Sequence, residues 1–210
     1  TVRLGAETDT CDRTGEVVFR GDAACVDEAA FDRILPSFWG MRMQRPPEIS
    51  ALKVNGEPSH RLARSGRGGV LPERPVMMES VRRRSALADG RVEIEVVCGR
   101  GTYIRSLARD IGARLGCGAH IEALRRLSIG PFRVSEALSD LSALASAPLR
   151  SPREAVAPFH RILLTERAEA RLRNGLPVPL REAGRYVPGT VGFAGGLCVE
   201  GAGVIGFGDR

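Results

Sequence analysis

The apolar positions of this chain change period several times, and each change predicts a change of element. Val2 and Leu4 alternate with polar neighbours, which predicts a strand over Thr1–Leu4. A polar loop, Thr8-Asp9-Thr10-Cys11-Asp12-Arg13-Thr14-Gly15, leads into a second strand at Glu16–Phe19. Ala30, Phe31, Ile34, Leu35 and Phe38 share one helical face behind Asp27, a good N-cap. Gln44-Arg45-Pro46-Pro47 has to be extended, because each proline restricts the residue before it. Ile49–Val54 reads as a strand turned by Asn55-Gly56, and Ser59–Ser65 as a short helix ended by Gly66.

Pro75–Arg84 and Arg91–Cys98 read as paired strands joined by Ala88-Asp89-Gly90, with Val92, Ile94, Val96 and Cys98 in clean alternation. A helix follows, with Ile104, Leu107, Ala108, Ile111 and Leu115 on one face and Gly116 as its stop. His120–Ile129 alternates again and predicts another strand, ended by Gly130-Pro131. Ser135 opens a helix to about Ala145, and the proline-bearing run Ala147–Pro158 reads as a linker. Beyond it, Thr165 caps a helix over Glu166–Arg173, closed by Asn174-Gly175. Short β runs come last, at Pro177–Leu180, Thr190–Phe193, Leu197–Glu200 and Val204–Phe207. The organisation expected is an α+β domain over 1–146, a linker over 147–158 and a small β domain over 159–210. Both ends look cut: Thr1 already sits in a strand pattern, and Arg210 follows one directly, so a fragment is expected.

Composition narrows the class. With 210 residues, 43% hydrophobic and 27% charged, the chain can bury a core, and wholesale disorder is excluded. No run approaches the roughly eighteen apolar residues of a membrane span, and no signal-peptide pattern opens the chain. Five scattered cysteines without a CxxC pair support neither a zinc knuckle nor a disulfide framework, as expected of a cytoplasmic protein. The charge is uneven. Residues 1–40 hold four Arg against eight acids, residues 61–133 fifteen against seven, and residues 134–210 nine against eight. A basic middle points to a polyanionic partner, although an Arg-rich solvated surface gives the same count.

Gly101-Thr102-Tyr103-Ile104-Arg105 falls at a strand-to-helix junction, where clefts form. Arg105 is a planar cation suited to a carboxylate or phosphate, and Tyr103 offers a stacking face. As a lone motif, a helix start with one outward Arg explains it more simply. Ser50-x-x-Lys53 formally matches a serine acyl-enzyme motif, but a strand places the two on opposite faces and no Lys-Thr-Gly occurs. His60, His120 and His160 lack ligand spacing, so no metal is expected. Arg82-Arg83-Arg84 reads as a solvated strand end, while Arg125-Arg126 would place one Arg on each face of a strand.

Four segments taken in order are specific. They are Thr8-Asp9-Thr10-x-Asp12-x-x-Gly15; Gln44-x-Pro46-Pro47-x-x-Ser50-Ala51-x-Lys53-x-x-Gly56; Gly101-Thr102-Tyr103-Ile104-Arg105-Ser106-Leu107-x-x-Asp110-Ile111-Gly112; and Leu115-Gly116-Cys117-Gly118-Ala119-His120 followed by Leu124-Arg125-Arg126. Together they resemble the TruB family, the bacterial tRNA uridine-55 pseudouridine synthases, strongly over about 1–133 and weakly over 159–210. The resemblance implies a mixed α+β pseudouridine-synthase fold with a PUA-like C-terminal domain. It implies a cofactor-free isomerisation: a T-loop uridine is flipped out, its C1′–N1 bond breaks, and C5 is joined to C1′. Arg105 matches the family's active-site Arg, with Asp12 bracing it. Tyr103 and Leu124 match positions lining the uracil pocket, while Lys53, His120 and Arg126 match substrate-side positions. The partner implied is the tRNA T-arm, bound by a monomer without a membrane.

The family's nucleophile is an Asp in a Gly-x-Leu-Asp-Pro-x-Ala-Thr-Gly motif, which does not occur in these 210 residues. The chain by itself is therefore expected to be inactive. Ile49 stands where the family usually has an aromatic residue, and His60 where it often has Tyr. A catalytically silent tRNA-binding or RNA-chaperone protein is the alternative.

Overall fold

The computed structural model describes residues 1–54, 56–67, 69–189, 196–201 and 205–209. The chain divides into two compact units, Thr1–Leu124 and Arg125–Arg210, so the division falls before the linker expected at 147–158. Thr190–Phe193 and Asn55 lie outside the described residues, as does the side chain of His60.

The first unit contains strands β1 (Val2–Leu4), β2 (Ala6–Thr8) and β3 (Val17–Arg20), then helix α1 (Glu28–Ile34) and strand β4 (Gly40–Gln44). A small hairpin of β5 (Lys53–Val54) and β6 (Glu57–Pro58) precedes helix α2 (Ser59–Arg64). The remaining elements are β7 (Arg74–Arg83), β8 (Arg91–Val92), β9 (Ile94–Cys98), helix α3 (Ile104–Leu115) and β10 (Ala119–Ile121). Two three-stranded sheets, β10-β1-β8 and β4-β7-β9, are antiparallel throughout. Their shared core contains Val2, Phe31, Phe38, Met78, Leu107 and Ile111.

Helices α1 and α3 form where their caps and stripes predict. The Asp27 carboxylate accepts the Ala30 amide at 2.6 Å, and Pro36 tightens the next turn, Leu35–Phe38, into a 3-10 helix. Helix α3 buries Leu107, Ala108 and Ile111 and ends at Gly116 in the left-handed conformation, φ 76°. Arg83 reaches back to Glu28 and Asp32 at 2.9 and 2.8 Å. Part of the basic middle thus neutralises the acidic start, a pairing that local charge sums conceal.

Several expected elements are corrected. The strand expected over Ile49–Val54 is confined to Lys53–Val54, because Ser50 is buried in a bend where its hydroxyl meets that of Ser59 at 2.9 Å. The strand expected over His120–Ile129 stops at Ile121. There the Glu122 amide turns to the Thr1 carbonyl, and Leu124 and Leu127 are exposed. Arg125 and Arg126 are both exposed, so neither points inward.

In the second unit, the single helix expected from Ser135 to Ala145 is two separate 3-10 turns, Val134–Glu136 and Leu141–Ala145. Asp140 starts the second by capping Ser142. A hairpin of β11 (Ser128–Ile129) and β12 (Phe132–Arg133) precedes them. The expected linker holds helix α4 (Pro152–Val156), which a Ser151–Glu154 capping box starts. Strand β13 (Arg161–Leu164), helix α5 (Glu166–Arg173), helix α6 (Leu180–Ala183) and strands β14 (Gly184–Val187), β15 (Gly196–Glu200) and β16 (Ile205–Asp209) follow. Residues 177–179, expected to be extended, lead instead into α6. The strands form a four-stranded sheet in the order β14-β13-β15-β16. Among the described residues no helix is long and apolar enough to cross a membrane.

Candidate functional site

The loop between β2 and β3 is folded around Asp12. Cys11 adopts a left-handed conformation, φ 58°, and the Thr8 hydroxyl donates to the Asp12 carbonyl at 2.7 Å. One carboxylate oxygen of Asp12, Oδ1, accepts from the Thr10 hydroxyl at 3.0 Å, the Thr14 amide at 3.0 Å and the Thr14 hydroxyl at 2.6 Å. The other, Oδ2, is left for Arg105, whose Nη1 stands 3.3 Å away. Asp9 is also committed, its Oδ1 accepting the Glu16 amide at 2.9 Å. Gly15 is required by close approach, since a Cβ there would collide with the Asp9 carboxylate and with Thr10.

Arg105, in the first turn of α3, joins three segments that are distant in sequence. Besides Asp12, its Nη1 donates to the Thr10 carbonyl at 3.0 Å and its Nη2 to the Ile49 carbonyl at 2.9 Å. The fixed fork of a guanidinium suits such an arrangement, and a Lys ammonium does not. The helix start is itself pinned. Gln44, 2% exposed, accepts the Tyr103 amide at 2.9 Å and donates to the Tyr103 carbonyl at 3.1 Å. The Ser106 hydroxyl and the Arg109 guanidinium both donate to the Arg45 carbonyl.

Burial pushes the Asp12 carboxyl up. The hydrogen bonds from Thr14 and Thr10, with the Arg105 charge behind them, outweigh it and hold the group below the usual carboxylate range. A depressed carboxyl stabilises the fold fully above its unfolded pKa, and the contribution is lost as pH falls through the folded value. The advantage of the wild type over Asp12→Asn in urea unfolding is therefore expected to be flat near neutrality and to shrink in acid. An advantage that persists undiminished in acid would contradict this account.

An open cleft of about 390 Å³ lies beside this network, lined by Asp12, Arg13, Thr14, Arg105, Ile121, Glu122, Ala123 and Leu124. Of the residues expected from sequence, it brings together Arg105, Asp12 and Leu124, the last 63% exposed at the rim. Tyr103 is half-buried at the N-cap of α3, adjacent in sequence to that site but not among the lining residues. His120 faces elsewhere: its Nδ1 lies 2.9 Å from the Ala6 carbonyl. Lys53 is exposed on the small hairpin, and Arg126 belongs to the second unit. The cleft also takes in Arg13, Thr14 and Ile121, which are not among the site residues expected from sequence. Gln44 stands in the Gln44-x-Pro46-Pro47 pattern, and nothing in that pattern marks its contact with Tyr103. Among the described residues no group of three or more His, Cys, Asp or Glu is placed to hold a metal ion.

Two family models match consecutive parts of the chain: TruB family pseudouridylate synthase (N terminal domain) over residues 1–104, and tRNA pseudouridylate synthase B C-terminal domain over residues 105–164. The tRNA pseudouridine synthase B of Geobacter sulfurreducens is 42% identical over 202 residues, covering 90% of this chain and 64% of the relative. That of Ruegeria pomeroyi is 39% identical over 184 residues, covering 84% and 60%. The chain thus spans about six tenths of the length of these curated relatives. Among solved structures, a Cbf5-Nop10-Gar1 complex matches with a TM-score of 0.66 at 22% identity, over 96% of this chain and 55% of that one. An H/ACA RNP bound to a substrate RNA containing 2′-deoxyuridine matches with a TM-score of 0.61 at 21% identity, over 96% and 54%. These structures show a shared fold.

Proposed function

We propose a function from this premise: the chain belongs to the TruB family of pseudouridylate synthases. Its first unit supplies the arginine side of the uridine site of a cytoplasmic tRNA pseudouridine synthase, acting as a monomer on uridine 55 of the T-arm. The observation that carries this reading is Arg105, held by acceptors from Thr10, Asp12 and Ile49 at the edge of a cleft that also presents Ile121 and Leu124. Leu124 and Ile121 offer apolar surface to a base that has lost its stacking partners, which offsets an unstacking cost of a few kcal/mol. The locked Arg105 cation favours the charged form of a carboxylate brought to the cleft, keeping it ionised as the base excludes water. That carboxylate attacks C1′ as the C1′–N1 bond breaks, the freed uracil turns, C5 attacks C1′ and displaces the carboxylate, and the C5 proton is lost while N1 takes one up. No cofactor takes part.

Asp12 itself is not that nucleophile, because its oxygens are occupied by Thr10, Thr14 and Arg105. The same observation favours a second reading, a silent tRNA binder that keeps the cleft and lacks the acid. Tritium release from tRNA carrying 5-tritiated uridine separates the two. With the carboxylate in place the enzyme releases label from position 55; a silent binder retains RNA and releases none. These 210 residues alone are expected to bind tRNA, to be displaced by an isolated T-arm hairpin, and to release nothing. Release above background would place the nucleophile within these residues and make Asp9 and Asp12 the candidates, and failure to bind either RNA would overturn the site.

A further inference from the structure

Four charged side chains line the cleft: Asp12, Arg13, Arg105 and Glu122. Three are answered within the molecule. Asp12 and Arg105 pair with each other, and Arg105 commits further donors to the Thr10 and Ile49 carbonyls. Glu122 is forked by Arg91, whose Nε lies 2.8 Å from Oε2 and whose Nη2 lies 3.0 Å from Oε1. Arg13 is the exception. Its side chain is exposed and makes no hydrogen bond or ion pair among the described residues. Its backbone, by contrast, is fixed. The Arg13 amide donates to the Ile121 carbonyl at 2.8 Å, the Ile121 amide donates to the Cys11 carbonyl at 3.0 Å, and Asp12 bridges to Ile121. Among the described residues the cleft therefore presents one unanswered charge, a cation, on a backbone tied to Ile121 by these hydrogen bonds.

We infer that Arg13 takes a phosphodiester oxygen next to the uridine that enters the cleft, an inference that rests on the function proposed above. Flipping a nucleotide turns it about its own backbone and brings the flanking phosphates to the rim of the pocket. A guanidinium matches a phosphate with two parallel donors. Arg105 is turned away from that role, since three of its donors are fixed on Thr10, Asp12 and Ile49. Position 13 is also unspecified in the Thr8-Asp9-Thr10-x-Asp12-x-x-Gly15 pattern, so the contact belongs to this chain and not to the motif.

The test is the affinity of the protein for a T-arm hairpin over a KCl series, with Arg13→Gln and Arg13→Lys beside the wild type. Arg13→Gln is expected to weaken binding about five- to tenfold at low salt. It is also expected to flatten the slope of log K against log salt by about 0.7, the loss of one single-strand phosphate contact. Arg13→Lys should restore the slope. Hairpins with one uncharged methylphosphonate linkage, 5′ or 3′ of the target uridine, identify the phosphate. At one of these positions the wild type should lose the same factor as Arg13→Gln, and the variant should lose nothing more. An unchanged slope in Arg13→Gln, or losses that add in full at both linkages, would overturn the inference and leave the uridine site standing. A wild type that binds no hairpin would overturn the site itself.

Discussion

In an enzyme that carries the attacking carboxylate, Arg105→Ala is expected to lower turnover on the order of 10³-fold while changing RNA affinity only a few-fold. The magnitude is that of removing one preorganised charge-stabilising group from a site that excludes water. Binding is spared because the Arg105 donors face Thr10, Asp12 and Ile49, leaving RNA affinity to the exposed cations. Arg105→Lys should be nearly as impaired, since one ammonium on a flexible stem cannot hold three acceptors in a fixed plane. Both variants should also lose about 1–3 kcal/mol of stability, because part-buried acceptors are left without their donor. Single-turnover kinetics beside direct binding checks the split. Turnover unchanged in Arg105→Ala would remove the residue from the mechanism.

Gly112→Ala is the second large effect, and its sign is the informative part. In an exposed helix, replacing Gly by Ala stabilises by about 1 kcal/mol. Here the helix lies so close to β10 that a Cβ at residue 112 would collide with the backbone of Gly118 and Ala119. The Gly112 carbonyl also accepts the amides of Cys117 and Gly118, so the turn after α3 is built against this point. The atoms met are backbone and an alanine Cβ, with no flexible side chain to yield, and a loss of about 3 kcal/mol is expected in urea unfolding. Because α3 carries Arg105 at its other end, turnover should fall with stability. A neutral or stabilising Gly112→Ala would show that the helix and the strand are not in this contact.

How much of this was legible in sequence depended on whether a pattern met a matching surface. The α3 stripe of Leu107, Ala108 and Ile111 was readable because one face is buried along its whole length and Gly116 ends it abruptly. The alternation from His120 to Ile129 misled because it continues after the sheet has stopped. Ala119–Ile121 is paired with β1, whereas Leu124 and Leu127 alternate with arginines in solvent. The helix expected from Ser135 to about Ala145 fails similarly, since Leu138, Leu141 and Leu144 are all exposed. At the site, the motifs pointed to Arg105 and Asp12, and those two do meet. The acceptors that lock Arg105, the carbonyls of Thr10 and Ile49, were not readable, because a backbone carbonyl leaves no mark in side-chain identity. Arg13 was obscured by its company. Fifteen arginines in the basic stretch outweigh one in the acidic start, yet pairs such as Arg83 with Asp32 show that several of the fifteen are already neutralised.

In the proposed function the target uridine enters the cleft between Asp12–Thr14 and Ile121–Leu124. Photo-crosslinking with a T-arm hairpin carrying 4-thiouridine at position 55 tests it without requiring turnover. The account predicts crosslinked peptides from those two segments, with a yield that collapses when the label is moved one nucleotide along the loop. Crosslinks confined to Arg125–Arg210, or a yield indifferent to the position of the label, would contradict it.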